Sequence, residues 1–441
     1  MKGDGVNRQR QKDMFGLLAQ LKALREPIRV AVVGIGSTGR GLLLQGTITP
    51  GIRCVAIADI RLERAIAAAE RFKCDYRVVR TPDEMHDAIA QGKLAICEDG
   101  DLVARCESLD VFIEATNSIL AGGRHAITAL EHGKHVVMMN YEADLMFGPW
   151  LAHLAEDKGL VYTVCDGDQP AVLRRLIDEV ELMGFRLVMA GNIKGYLDRY
   201  ANPTSIVPEA DKRGLDYRMC TSYADGTKLC VEMAVLANGL GLRTTIPGMH
   251  GPRAVNVLNV FEHFDFDALW YGRQGLVDYI LGAEPKGGVF VVGYTEDRYQ
   301  QEALASFPSR LGVGPYYVFA RPYHLVHFEA MASVAEAALN RRAILKPDCG
   351  FRTNVYAYAK RPLRRGDTLD GIGGYTCYGL IENCSHDGQE GLPVCLADGV
   401  VLKRDVPRDE RISLDDVEFD SQRADFQLFR QAVEHARRLR V

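Results

Sequence analysis

The chain has 441 residues, is 47% hydrophobic and 25% charged, and carries a formal net charge of -5. Such a composition predicts a soluble globular protein of two or three domains and lacks the basic stripe that nucleic-acid binding requires. No apolar run approaches the roughly 20 residues of a membrane span, and residues 1–26, expected as an N-terminal helical extension, are too mixed in charge for a secretory signal. Eleven cysteines, none in C-x-x-C spacing, predict reduced buried thiols and a cytoplasmic location.

Residues 28–33 (IRVAVV) form a short β-branched run that ends in Gly34-Ile35-Gly36-Ser37-Thr38-Gly39, with a helical stretch expected over 40–46. Strand, G-x-G-x-x-G and helix in that order are the context of a dinucleotide-binding fingerprint. Gly34 permits the tight turn, Gly36 lets the backbone approach a pyrophosphate, and Gly39 allows helix and strand to pack closely. Ser37 and Thr38 open the helix, whose free N–H groups and dipole suit a phosphate. The next run, 53–59, ends in Asp59, 20 residues after Gly39, where a carboxylate meets ribose hydroxyls. Asp59 favours NAD; Arg61 is placed to meet a 2′-phosphate and keeps NADP open.

Further strands are expected at 111–116, 134–140 and 160–164, with helices at 121–132 and about 148–158. Strands alternating with helices predict a Rossmann-type, doubly wound parallel sheet over residues 27–170, with ligands at the strand carboxyl ends. That brings Thr116, Asn140, Glu142, Asp166 and Asp168 to one crevice. The long link 72–110 holds a helix at 82–91 and a short element near 95–99, read as a rim or an oligomer contact.

Residues 171–350 read as an α+β substrate and dimerisation domain with an open, mostly antiparallel sheet. Expected elements are a helix at 171–183, strands at 186–192, 289–294 and 316–319, strand-like runs at 218–220 and 228–233, and a buried helix at 234–240. Three polar clusters carry its chemistry: Asn192-Ile193-Lys194-Gly195, Gly248-Met249-His250-Gly251-Pro252-Arg253 and Arg321-Pro322-Tyr323-His324. Each sets a cation or histidine in turn residues that hold it still. Lys194 or His250 would protonate a new alkoxide, with Asp168 as a further candidate. Arg253, then Arg321 and His324, would hold an anionic group, with Asn192 beside the substrate.

The character changes at Asn354. Residues 356–369 run as a strand into a charged Gly-Asp turn, and 397–407 and 412–417 follow. Residues 351–421 resemble the SAF (antifreeze-like) β-clip domain of sialic acid synthases and sugar-acid dehydratases, and a helix at 422–441 closes the chain. With the strings VVMMNYEAD (136–144), GDQP (167–170), GMHGPRA (248–254) and RPYHL (321–325), the chain resembles SAF-domain homoserine-dehydrogenase-like oxidoreductases, including the deoxyxylulose-phosphate reductoisomerase-like branch. Tyr141 stands where homoserine dehydrogenases carry a lysine, and Ile193 and Lys194 replace their Gly-Thr, which argues against homoserine.

The resemblance implies an NAD(P)-dependent oxidoreductase of a small phosphorylated or carboxylated polyol or ketose, acting as a homodimer. If the reaction includes isomerisation, it implies a divalent cation, Mg or Mn, for which Asp166, Asp168 and Glu232 are the hard oxygen donors. A simple dehydrogenase needs no metal. A nucleotide-responsive regulatory protein is the alternative from another class.

Overall fold

The computed structural model describes residues 16–270, 272–307, 311–384 and 391–439. Of the expected terminal helices, residues 1–15 and 440–441 lie outside the described residues. The chain divides into two compact units, 1–168 with 325–346 and 169–324 with 347–441.

Among the described residues the first unit holds seven strands: β1 (Ile28–Val33), β2 (Ile52–Ala58), β3 (Tyr76–Val78), β4 (Leu94–Cys97), β5 (Val111–Glu114), β6 (His135–Met138) and β7 (Tyr162–Val164). All pair in parallel, in the order β3-β4-β2-β1-β5-β6-β7. β1 is buried almost throughout, the uninterrupted apolar pattern of a strand covered on both faces. From β1 the chain winds first to β2 and later to β5 on the other side, so the topological switch lies at the carboxyl ends of β1 and β5. Helix α1 (Leu17–Lys22) precedes β1, and helices α2 (Ser37–Ile48), α3 (Leu62–Arg71), α4 (Pro82–Ala90), α5 (Gly100–Ala104), α6 (Ile119–Glu131) and α7 (Tyr141–Asp157) connect the strands. The link 72–110, expected as a rim, supplies β3 and β4, and β4 is inserted beside β2.

α7 begins at Tyr141 rather than near 148. The Asn140 carbonyl oxygen Oδ1 accepts the Ala143 N–H at 3.1 Å and caps it, and Pro149 lies inside the helix. The segment 325–346, expected in the second domain, belongs to this unit. The Leu345 carbonyl accepts the Val164 N–H at 2.9 Å, and His327 packs against Gly41, where a Cβ would lie 2.3 Å from its ring.

The second unit opens with α8 (Gln169–Leu182) and β8 (Arg186–Lys194), then α9 (Val207–Arg213), α10 (Tyr217–Ala224) and α11 (Thr227–Leu240). The runs 218–220 and 228–233, expected as strands, are helical. Asp216 caps α10 by accepting from the Arg218 and Met219 N–H groups, and α11 is buried along nearly its whole length. β9 (Leu276–Leu281), β10 (Val289–Tyr294) and β11 (Tyr316–Arg321) complete a four-stranded sheet in the order β11-β10-β8-β9. Two of its pairings are antiparallel and β8–β9 is parallel.

Phe264, Phe266, Trp270 and Phe290 pack with Ile193 and Ile280 against one face of this sheet. Each such phenylalanine contributes about 1.5–3 kcal/mol by burial. The tail adds β12 (Thr353–Ala359) paired with β13 (Cys377–Asn383), β14 (Val401–Leu402) paired with β15 (Val417–Glu418), and helix α12 (Ala424–Arg438). Lys360 ties it to the rest of the unit: its buried ammonium donates to Asp225 at 2.9 Å and to the Ala201 and Gly374 carbonyls at 2.7 and 2.9 Å.

Candidate functional site

In the first unit the turn after β1 is shaped by its glycines. Gly34 has φ +96°, and a Cβ there would lie 2.6 Å from the Ala115 carbonyl and the Thr116 nitrogen, so the loops after β1 and β5 touch. A Cβ on Gly39 would lie 1.9 Å from the Gly34 carbonyl oxygen. Gly36 differs: its backbone is ordinary, with φ −73°, and nothing lies within 4 Å of an added Cβ. Helix α2 starts at Ser37 and Thr38 with no side chain capping it, which leaves its first N–H groups to an anion. These residues fit a pyrophosphate: two glycines are required by packing and the third faces the space a ligand takes. The Asp59 carboxylate accepts from the Ile35 N–H at 2.7 Å and the Arg61 N–H at 2.9 Å, tethering this turn to the end of β2. The Arg61 side chain is exposed.

Thr116, Asn140 and Asp166 follow β5, β6 and β7, neighbouring strands whose carboxyl ends share one edge. Glu114, fully buried at the end of β5, organises this edge. Its carboxylate accepts from the Thr116 N–H at 2.9 Å and from the Thr116 hydroxyl, and it pairs with His125 Nδ1 at 2.9 Å. Burial lowers the His125 pKa, but the bond and charge of Glu114 outweigh it, so the imidazole is held above its ordinary value. The Asn140 amide donates to the Ser118 carbonyl at 3.0 Å, joining the loops after β5 and β6. Glu142 stands in the first turn of α7, favourable for a carboxylate. Asp166 accepts from the Gly167 N–H at 2.7 Å, and a Cβ on Gly167 would lie 2.0 Å from the Val326 carbonyl oxygen. The turn bearing Asp166 and Asp168 is thus packed on the returning segment. Sequence reasoning did not single out Glu114 or His125; the one acid in the apolar run 111–115 was the available signal.

In the second unit the sheet gathers most of the expected residues at one end. Across the strands, Arg321 pairs with Val289, Val289 with Asn192, and Asn192 with Tyr279. Two residues on, Lys194 pairs with Leu281, and Leu281 with Arg253. Paired residues and residues two apart share a face of a sheet, so Arg321, Asn192, Tyr279 and Lys194 lie on the face opposite the aromatic core. The strand expected at 186–192 runs two residues further, so Lys194, expected just past it, ends β8 together with Asn192. Burial holds the Lys194 ammonium below its ordinary value; the opposing pull comes first from Glu232 on α11, then from Asp225.

The loop 248–253 is clamped by a residue that the sequence did not flag. Asp278, 1% exposed on β9, accepts the His250 N–H at 3.0 Å, the Gly251 N–H at 3.0 Å and its neighbour Tyr279's N–H at 2.8 Å. Burial raises its pKa, and these backbone bonds pull it back. A Cβ on Gly251 would lie 1.9 Å from the Tyr279 ring, and Met249 adopts φ +69°. The clamp leaves His250 and Arg253 exposed, with His250 edge-on to Phe264. His324 Nδ1 lies 2.8 Å from the Gly287 carbonyl, and Arg321 stacks on Tyr323.

Of the three expected metal ligands, Asp166 and Asp168 belong to the first unit and Glu232 to the second. Among the described residues no group of three or more His, Cys, Asp or Glu side chains could hold a metal ion, and no helix is long and apolar enough to cross a membrane.

Residues 167–330 match a protein-family model described as Oxidoreductase DRL, catalytic domain. A Glycosyl hydrolase family 109 protein of Streptomyces coelicolor is 31% identical over 120 residues, 27% of this chain. The chain spans a quarter of the length of that curated relative, 25%. Among solved structures, a homoserine dehydrogenase from Thiobacillus denitrificans is similar at 14% identity and TM-score 0.43, over 88% of this chain and 98% of that one. The 1-deoxy-D-xylulose 5-phosphate reductoisomerase from Zymomonas mobilis, in complex with NADPH, is similar at 13% identity and TM-score 0.35, over 74% of this chain and 84% of that one.

Proposed function

We propose that this chain is an NAD(P)-dependent oxidoreductase acting on a small phosphorylated or carboxylated polyol or ketose. The observation that carries the reading is the end of the second unit's sheet, where Lys194, Asn192 and Arg321 share a face beside Arg253. The match of residues 167–330 to an oxidoreductase catalytic domain supports it. NAD or NADP is held over Gly34, Gly36, Ser37, Thr38 and Gly39, with the adenosine ribose near Asp59 and Arg61 and the nicotinamide end past Thr116, Asn140 and Glu142. When bound, it supplies or accepts the hydride.

Lys194 gives a proton to the substrate oxygen in reduction and takes it back in oxidation. Its lowered pKa suits it to both steps, because a donor works best when its pKa lies near the working pH. Arg253 holds the substrate's anionic group, with Arg321 and His324 as further anion contacts and Asn192 as a hydrogen-bonding partner. Asp168 and His250 are the next candidates for the proton. Simple dehydrogenation is favoured over isomerisation with Mg or Mn, since the Glu232 charge acts on the Lys194 ammonium and Asp166 lies in a packed turn. Turnover that survives a chelator agrees with this reading; its loss, restored by Mg or Mn, would return Asp166, Asp168 and Glu232 to the reaction.

Arg253→Ala should raise KM with kcat nearly kept, the signature of binding lost equally from ground and transition states; an unchanged KM removes Arg253 from the site. The reading includes a homodimer, with 351–421 as a SAF-like tail at the subunit edge, and a reducing, cytoplasmic setting in keeping with eleven free cysteines. Sedimentation that finds a stable, active monomer at micromolar concentration contradicts the dimer.

A further inference from the structure

The segment just past β8 brings one more cation to the end of the second unit's sheet. Arg199 lies in a stretch of chain held from both sides. The Asp198 N–H donates to the Ala224 carbonyl at 2.8 Å, and the Ala201 carbonyl accepts from the buried Lys360 ammonium at 2.7 Å. The Arg199 guanidinium lies over the Tyr378 ring on β13, 5.7 Å from its centre. A Cβ on Gly248 would lie 3.3 Å from its Nη2, so it packs at the start of the loop 248–253. Arg253 closes that loop, which therefore carries a cation at either end.

Among the described residues, no acceptor lies within hydrogen-bond distance of the buried Arg199 Nη1. A guanidinium only donates and keeps its charge, so losing a proton does not relieve it. The carboxylate beside Tyr378 is taken up elsewhere. Asp409 accepts from the Tyr378 hydroxyl at 2.9 Å and the Tyr200 hydroxyl at 2.8 Å, and it pairs with Arg408 at 3.6 Å. The Arg199 charge acts instead on Tyr279 and Cys230. Burial pushes that phenol up to about 12 and that thiol up to about 11, and Arg199 pulls both back. Cys230 also feels the Lys194 charge, and Tyr279 shares the sheet face of Lys194. A fixed cation with an unused buried donor thus stands beside the face that bears Lys194.

We propose that Arg199 is a further substrate-binding residue, whose Nη1 donates to an anionic oxygen, of a carboxylate or a phosphate, on the substrate. The inference rests on the reading that the substrate lies on the Lys194 face. Such a bond is charge-assisted on both sides, the strong kind, and it satisfies a donor that is costly to leave buried without an acceptor. Tyr378 and Asp409 belong to the tail. By holding the ring against the guanidinium, they give the tail a part in substrate recognition.

The test is calorimetric titration of the full chain with glycerol 3-phosphate, a polyol phosphate, and malate, a hydroxy acid. Saturable binding of one of them with Kd below about 1 mM is expected, and which binds more tightly identifies the head group. Arg199→Met should weaken that binding at least about tenfold. Arg199→Gln should weaken it as well, so a fold defect in one variant does not decide the matter. Both variants should keep the parent's melting temperature, since no hydrogen bond of the chain is lost. The titrations need no cofactor and are therefore independent of hydride transfer. Anion binding that needs Arg199, in a protein that turns over no substrate, sustains the inference and removes the oxidoreductase reading. Turnover in which both Arg199 variants keep the parent's KM does the reverse. The proposal is also overturned if neither anion binds the parent saturably, or if both variants bind as the parent does.

Discussion

A methyl group added at Gly36 meets open space, whereas one added at Gly39 lies 1.9 Å from the Gly34 carbonyl oxygen. The two glycines of one motif thus predict opposite phenotypes. Gly36→Val should fold with an unchanged melting temperature and lose at least about tenfold in NAD(P) affinity, because only a ligand's approach is blocked. Gly39→Ala should cost about 1–3 kcal/mol of stability, as overpacking does. Thermal melts and cofactor titration of both variants check this; a Gly36→Val that binds normally displaces the nucleotide site. The motif was legible because its residues are contiguous and their spacing states the chemistry. Asp278 was not legible. It is one acid inside the otherwise largely apolar run 276–281, and its role arises from N–H groups 27 and 28 residues away in sequence.

At the level of elements, period and caps decided what could be read. β1, β2, β5 and β6 were visible as apolar runs. α11 was not, since a helix buried on every side shows no 3.6-residue stripe, and Lys228 to Met233 then passes for a strand. α7 was shortened because Gly148-Pro149 resembles a helix start, while the real cap, Asn140, had been assigned to the preceding strand.

α7 and β7 also share a titrating pair. The Tyr162 hydroxyl donates to Asp144 at 2.6 Å, and burial pushes the Asp144 carboxyl up to about 7, the tyrosine bond pulling the other way. A carboxyl that binds its proton more tightly when folded contributes stability in full below its ordinary value of 3.8, and that contribution is lost as pH rises through about 7. Relative to Asp144→Asn, the parent should therefore lose stability between about pH 4 and pH 7, by up to about 1.4 kcal/mol per pH unit. Urea unfolding of both proteins across that range measures the difference; parallel curves would contradict the assignment.

Across the whole molecule, the order of strands and helices announced the parallel sheet, but not that 325–346 returns to it. That segment is held by contacts such as Leu345 with Val164, more than 180 residues apart, which no local pattern records. The clusters at 192–194, 253 and 321 were each legible as a cation or amide in rigid surroundings. Their convergence follows only from the strand order β11-β10-β8-β9, which includes β9, a strand absent from the sequence reading.

The reading of the chain as an oxidoreductase rests on what Lys194 does there, and steady-state hydride transfer tests it. Oxidation and reduction of the nicotinamide are followed by absorbance, with a panel of polyol phosphates, ketose phosphates and hydroxy acids, for the parent and Lys194→Ala. The parent should turn over a member of the panel, with a reductive rate that falls as pH rises through a value below the ordinary lysine 10.5. Lys194→Ala should lower kcat at least about 10²-fold, the scale of a lost general acid. Cofactor binding without turnover on any substrate, or a Lys194→Ala enzyme with the parent's kcat, would contradict the account.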